Sequence, residues 1–363
     1  MPKRMVHDHW LFFTATFLAL AGLFMVGSAS THVALDSTQD PSAYLWKHLL
    51  NLTLGFVGLI AAMSFDYRRL TDGRLILIML GLCVALLLLV LAMPASGGAH
   101  RWLHLGLMRF QPSELAKLAT VVFMAYILAK KDGQVNDPWA VPIPGSVVIG
   151  TLAFLIVIEP DLGSAVMLVS VACVMVFAAG INWRYVSLGG GLLAGAFAIA
   201  VVIEPYRLKR ILAFLNPTGD LQGLNFQLQQ SFIALGNGGL IGTGFGHGQQ
   251  KWHYLPAAHT DFIYSVVGEE VGLIGTTALL LAFLAIFWRG MRAAVRAPDR
   301  FGFFLALGIT HLIVLQALVN MCVCLGLLPT KGLPLPLISY GGSSLLISMV
   351  AMGLLLNVSQ HSN

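Results

Sequence analysis

The stretch HTDFIYSVVGEE, residues 259 to 270, sets three carboxylates around an apolar run suited to a membrane. A carboxylate in hydrocarbon is costly, so Asp261, Glu269 and Glu270 call for a reason to be there. A carboxylate held just outside the hydrocarbon and close to fixed cations suits one chemistry in particular. The cations hold a lipid head group that carries phosphate, and an Asp whose partial desolvation raises its pKa accepts a proton from a hydroxyl. Arg101, Arg109, Lys117 and the group Arg207, Lys209 and Arg210 share the face of Asp261, as do Glu114, Glu159, Asp161, Glu204 and Asp220. Singly, each charge is equally well explained as an interfacial anchor or a paired helix-end group. Anchoring does not, however, require acids at six span ends on one side.

Glu114 and Lys117, in FQPSELAKLA, lie one turn apart at the start of a helix opened by Pro112 and Ser113. They read either as an i, i+3 pair or as substrate contacts, and the two roles are compatible. Glu159 and Asp161 flank Pro160 in a very short turn, where turn chemistry is the leading explanation. Gln316 and Asn320, four apart in the ninth span with His311 before them, read as interhelical hydrogen-bonding groups. The tract GNGGLIGTGFGHGQQ, residues 236 to 250, lacks GxxxxGK[ST] and follows no βα pattern, so it reads as a surface or re-entrant loop with no nucleotide. Cys83, Cys173, Cys322 and Cys324 all fall in apolar segments as packing residues.

The elements that must carry these groups follow from composition. With 57% hydrophobic and 10% charged residues, the chain is far from a soluble globular protein, for which about a quarter is charged. It is an all-α, polytopic integral membrane protein forming a single domain over residues 1 to 363. Ten apolar runs fall near 10–29, 45–64, 75–94, 112–129, 143–159, 162–180, 185–204, 266–288, 302–326 and 339–357. The first resembles a signal peptide but is too long, and reads as a retained helix. Twelve of the 21 Lys and Arg residues lie on the side of both termini, which is therefore cytoplasmic. The large extracytoplasmic loop spans about 205–265, between spans seven and eight. The basic residues are scattered over short loops, which argues against nucleic-acid binding.

Motifs along nearly the whole chain resemble the SEDS family (shape, elongation, division and sporulation), typified by FtsW and RodA. They are GLFMVGSAS, GGAHRWLHLGLMRFQPSELAK, EPDLGSAV, FLNPTGD, LQQSFIALGNGGLIGTGFG, LPAAHTDFIYSVVGEEVGLIG and LLPTKGLPLPLISYGGSS, in the family's order. The PTKGLPLP and VVGEE forms look closer to the division branch, FtsW. Tyr264 and Ser265 stand where the family usually shows Phe and Ala, and Asn216 where it often shows an acid.

The resemblance implies a peptidoglycan glycosyltransferase that polymerises lipid II on the outer face of the bacterial cytoplasmic membrane, at the septum. It implies no nucleotide, a divalent cation (Mg²⁺ or Mn²⁺), and a class B penicillin-binding protein among other divisome partners. The family's essential acid matches Asp261, which becomes the expected base. Arg101, Glu114 and Lys117 match residues of the family's cavity. Arg207, Arg210, His259, Thr260, Glu269 and Glu270 complete the candidate substrate contacts, and Asp261 and Glu114 are the candidate metal ligands. A pyrophosphate-linked sugar brings its own leaving group, so one base and phosphate-binding charge suffice. The rival readings are a lipid II flippase, a silent scaffold for a transpeptidase, and an elongation-type polymerase.

Overall fold

A computed structural model of the chain describes residues 8–93, 101–105, 108–215, 225–252, 255–330 and 332–362. Asn216, Asp220 and Lys331 of the PTKG motif lie outside the described residues.

Helices α1 (His9–Thr38), α2 (Ala43–Ser64), α3 (Gly73–Leu91), α4 (Pro112–Lys130), α5 (Pro142–Ile158), α6 (Leu162–Ala178) and α7 (Trp183–Ile203) cover the first seven apolar runs. Helices α10 (Ile263–Val295), α11 (Arg300–Cys324) and α12 (Gly342–His361), numbered after two outer helices described below, cover the last three. Eight of these are long and apolar enough to cross a membrane. The other two, α5 and α6, have 17 residues each, at the short limit for crossing hydrocarbon. A two-stranded hairpin, β1 (Leu103–Leu105) with β2 (Met108–Phe110), pairs Leu103 with Phe110 just ahead of α4.

The segment expected as one outer loop contains two helices, α8 (Pro205–Leu215) and α9 (Phe226–Gly238). Pro205 starts α8 at a position where a missing N–H costs nothing. Several spans begin on side-chain caps. Asp8 accepts from the Leu11 N–H, Asp161 from Ser164 at 3.1 Å, and Asp299 from Gly302 at 2.7 Å.

Helices α4, α11 and α12 form the buried centre, while α7 is exposed along most of its length. Trp10, Phe13, Leu77, Ile78, Leu192 and Ile199 point outward, as expected of faces turned to hydrocarbon. Small residues set the close approaches: a Cβ on Gly353 of α12 would lie 2.4 Å from the Leu59 carbonyl oxygen of α2.

One span is interrupted. Gly272 adopts φ 73° and ψ −164°, splitting α10 into a short N-terminal section and a longer C-terminal one. A Cβ there would come within 2.4 Å of the Gly242 nitrogen, so no larger residue fits. The backbone groups freed by the break are bonded by the glycine-rich segment. Thr243 N–H donates to Glu269 O at 2.9 Å, Gly244 N–H to Glu270 O at 3.1 Å, and Leu273 N–H to Gly239 O at 2.9 Å.

Candidate functional site at the outer end of the bundle

Asp261 occupies a turn immediately before α10. The N–H groups of Thr260 and Asp261 both donate to Ala257 O, at 3.0 and 3.1 Å, with Ala257 at φ 57°. Three further bonds pin the turn. Tyr340 N–H donates to His259 O at 2.9 Å, Ser339 Oγ to Thr260 O at 2.5 Å, and Asn320 Nδ2 to Asp261 O at 2.8 Å. His259 and Thr260 thus contribute main-chain anchors, and the His259 ring packs edge-on against Tyr44 and Tyr340.

The Asp261 carboxylate points toward Gly332, where a Cβ would lie 3.3 Å from Oδ2, and it accepts no hydrogen bond among the described residues. Burial pushes its pKa up from 3.8 to about 6; Arg210 and Arg101 oppose the rise and Asp161 adds to it. Such a carboxylate is ionised at neutral pH yet basic enough to take a proton in a transition state.

Glu114 and Lys117 form a buried ion pair at 2.9 Å, one turn apart on α4. Lys117 Nζ also donates to Gln316 Oε1 at 2.7 Å, and Gln316 Nε2 donates to Pro334 O at 2.9 Å. One turn along α11, Asn320 Nδ2 donates to Leu333 O at 2.8 Å as well as to Asp261 O. Gln316 does bond between helices as the sequence suggests. Asn320 instead reaches main-chain carbonyls, so one face of α11 holds the ion pair, the 333–334 segment and the Asp261 turn together. The spacing of two amides four residues apart in an apolar span was the only sequence signal for this. A crevice of about 270 Å³, counting its open mouth, adjoins Glu114, Lys117, Gln316 and Ser348.

Arginines come in from two elements, the segment before β1 and α8. Arg101 Nε donates to Glu159 O at 3.1 Å and its NH2 group bonds Pro160 O. Arg207 bonds Ala200 O and Val157 O at 2.9 and 3.1 Å, and Arg210 bonds Thr330 O at 3.1 Å. For Arg101 and Arg207 such a carbonyl anchor fixes the guanidinium without cancelling its charge.

The two acids around Pro160 differ. Asp161 is a turn and cap residue as expected, accepting from Ser164 N–H at 3.1 Å, Gln111 Nε2 at 2.9 Å and Ser113 Oγ at 3.3 Å. Glu159 is fully buried, and neither carboxyl oxygen has a hydrogen-bond partner among the described residues. Burial pushes its pKa up to about 8, Asp161 adds to the rise, and Arg101 opposes it.

Glu269 and Glu270 are spent on structure. Glu269 accepts the N–H groups of Gln249 and Gln250 at 2.8 and 3.2 Å. Glu270 accepts from Ser28 Oγ at 2.6 Å, Gly246 N–H at 3.1 Å and Lys251 Nζ at 2.7 Å. Rather than facing a substrate, these carboxylates clamp residues 246–251 onto α10 and α1. Replacing Lys251 with Ala leaves the Glu270 charge buried and short of its cation, and is expected to cost about 3–5 kcal/mol. Thermal unfolding and protease cleavage within 239–251 measure it; unchanged protection would refute the clamp.

The carboxylates also differ in fitness for a divalent cation. Glu114 is held by Lys117, and Asp161, Glu269 and Glu270 are filled by donors, whereas Asp261 keeps open lone pairs. No group of three or more His, Cys, Asp or Glu that could hold a metal occurs among the described residues. Asp261 fits an ion of the magnesium type, which is commonly held by one or two carboxylates with substrate phosphates supplying further ligands.

Comparison with known proteins gives the same family throughout. The family model described as "Cell cycle protein" (FtsW, RodA, SpoVE) matches residues 8–363. "Probable peptidoglycan glycosyltransferase FtsW" of Trichlorobacter lovleyi is 43% identical over 99% of this chain and 94% of its own length. The protein of that name from Geobacter metallireducens is 45% identical over 97% of this chain and 94% of its own. A chain solved in work on "structural coordination of polymerization and crosslinking by a peptidoglycan synthase complex" superposes with a TM-score of 0.78 at 29% identity, covering 98% of each chain.

Proposed function

Because the chain belongs to the FtsW, RodA and SpoVE family of cell cycle proteins, we propose that it is a peptidoglycan glycosyltransferase polymerising lipid II at the outer face of the cytoplasmic membrane. The FtsW relatives favour septal synthesis over elongation. The observation that carries the reaction is the Asp261 carboxylate. It is fixed by its main chain, lacks a hydrogen-bond donor, and lies within the field of Arg101 and Arg210.

The acceptor sugar's hydroxyl gives its proton to Asp261 while its oxygen attacks the anomeric carbon of the donor. The bond from that carbon to the pyrophosphate oxygen breaks, and undecaprenyl pyrophosphate leaves. Arg101, Arg207 and Arg210 offer the departing phosphates positive charge from carbonyl-anchored positions. Lys117, with two of its three N–H groups used by Glu114 and Gln316, keeps one to offer. A bound divalent cation at Asp261 would add charge stabilisation at the pyrophosphate.

A class B penicillin-binding protein is the partner we propose, since a structurally similar chain was solved in a complex that couples polymerisation with crosslinking. The test is purified lipid II supplied to the chain in liposomes, with and without that partner. Glycan strands are the expected product. Lipid II moved across the bilayer without glycan would overturn the proposal in favour of transport. In cells, depletion should give filaments; rounded cells would indicate elongation.

A further inference from the structure

Resting on the glycosyltransferase reading, we propose that Glu159 is a positioning residue: a protonated acid lodged beneath Arg101 that leaves the guanidinium charge available to Asp261 and to the substrate phosphates.

A carboxylate can accept about four hydrogen bonds, and buried ones almost always accept at least one. Glu159 is fully buried and neither oxygen accepts any among the described residues. Two residues on, Asp161 takes three donors, from Ser164, Gln111 and Ser113, so the local supply of N–H and O–H groups goes to one acid and not the other. An unpaired buried charge is among the costliest features a fold can carry, and a proton removes it.

Arg101 is the obvious partner for an ionised Glu159, yet it does not bond the carboxyl. Its guanidinium goes to the main-chain oxygens of Glu159 and Pro160. The cation is thereby tied to the turn with its charge uncancelled. That charge reaches Asp261, whose rise in pKa is opposed by Arg210 and Arg101. The charged and titratable groups facing this turn are Arg101 from the segment before β1, Asp161 at the start of α6, and Arg207 from α8 through the Val157 carbonyl. Asp161 disfavours a negative Glu159, and Arg101 favours it.

The consequence is a built-in alkaline limit. Glu159 loses its proton near pH 8, with burial as the main cause of so high a value. The new anion sits beside Arg101, draws on its field, and weakens its hold on the phosphates and its influence on Asp261. Polymerisation should therefore fall as pH rises through about 8, with the loss expressed mainly in kcat/KM for lipid II.

The experiment is a pH–rate profile of lipid II polymerisation by the full chain with its transpeptidase partner, comparing wild type, Glu159→Gln and Glu159→Leu. Gln mimics the protonated acid, so E159Q should keep the neutral-pH rate and lose the limb near pH 8. An alkaline limb unchanged in both variants would overturn the proposal. An infrared titration of the wild-type protein provides a readout independent of turnover. A protonated-acid carbonyl band that titrates near pH 8 and is missing from the variants supports the proposal, and its absence from wild type overturns it. If wild type makes no glycan at any pH, the glycosyltransferase reading fails instead, and the infrared band still decides the protonation of Glu159.

Discussion

Replacing Asp261 with Asn is expected to reduce lipid II polymerisation by roughly 10²- to 10⁴-fold, the usual contribution of a positioned base, while making the protein more stable. Both effects come from the same surroundings. The carboxylate has main-chain anchors but no side-chain donor, and its folded-state pKa is displaced upward from 3.8 to about 6. An acid displaced in that direction opposes folding once it ionises. Its favourable contribution is complete below about 3.8 and disappears as pH rises through about 6. The stability gain of D261N should accordingly be greatest at pH 8, bounded at about 3 kcal/mol by the value of about 1.4 kcal/mol per pH unit, and should vanish near pH 4. Melting temperatures of the two proteins at pH 4 and pH 8 provide the check. An equal difference at both values would mean that the Asp261 charge is not under strain, and retained polymerisation would remove Asp261 from the chemistry.

Replacing Lys117 with Met is the second large effect. It strands the Glu114 carboxylate inside the bundle and leaves Gln316 Oε1 without its donor. Removing one member of a buried ion pair costs about 3–5 kcal/mol, whereas replacing both by well-packed neutral groups is often harmless. The double variant Lys117→Met, Glu114→Gln should therefore recover the thermal stability that Lys117→Met loses. It should not recover polymerisation, because the remaining Lys117 N–H and the positive charge that carries it are lost, while Gln316 and Asn320 still hold the 333–334 segment. If the double variant were active, the pair would be serving the fold alone; if it were no more stable than K117M, the pair would not be the cause of the loss.

The spans were legible in the sequence because a run of about 20 apolar residues declares itself without reference to any partner. Their ends were not. Helix α1 continues to Thr38, past the expected end near 29, and α10 begins at Ile263 and runs to Val295. The extensions carry polar and charged residues such as His32, Asp36, Arg289 and Arg292, which lower the hydropathy that marks a span. Asp161 could be read correctly because capping is a local matter decided within three residues. Glu159, two positions away, could not. Its burial depends on what α5, α6 and the segment before β1 do jointly, and nothing in EPDLG separates an acid with three donors from an acid with none. Glu269 and Glu270 were likewise ambiguous, since their partners Ser28, Gly246 and Lys251 are settled by the return of a long segment onto α10. Asp261 stood out in the sequence as an acid near cations, but nothing there showed that its carboxylate would accept no hydrogen bond among the described residues. Its lone carboxylate matters for what does not touch it, and spacing along a chain conveys contacts better than it conveys their absence.

The break at Gly272 also settles a question of hydrophobic thickness. An uninterrupted helix of 33 residues would be about 50 Å long, well beyond the roughly 30 Å of a bilayer's hydrocarbon, and would have to tilt steeply or drag its acids inward. The section after Gly272, residues 273–295, is about 34 Å long and matches the bilayer with little tilt. The section before it is free to lie at head-group depth with Glu269 and Glu270 on it. A single left-handed glycine thus shortens the continuous helix to a length that fits the hydrocarbon, and separates it from the section that follows Asp261.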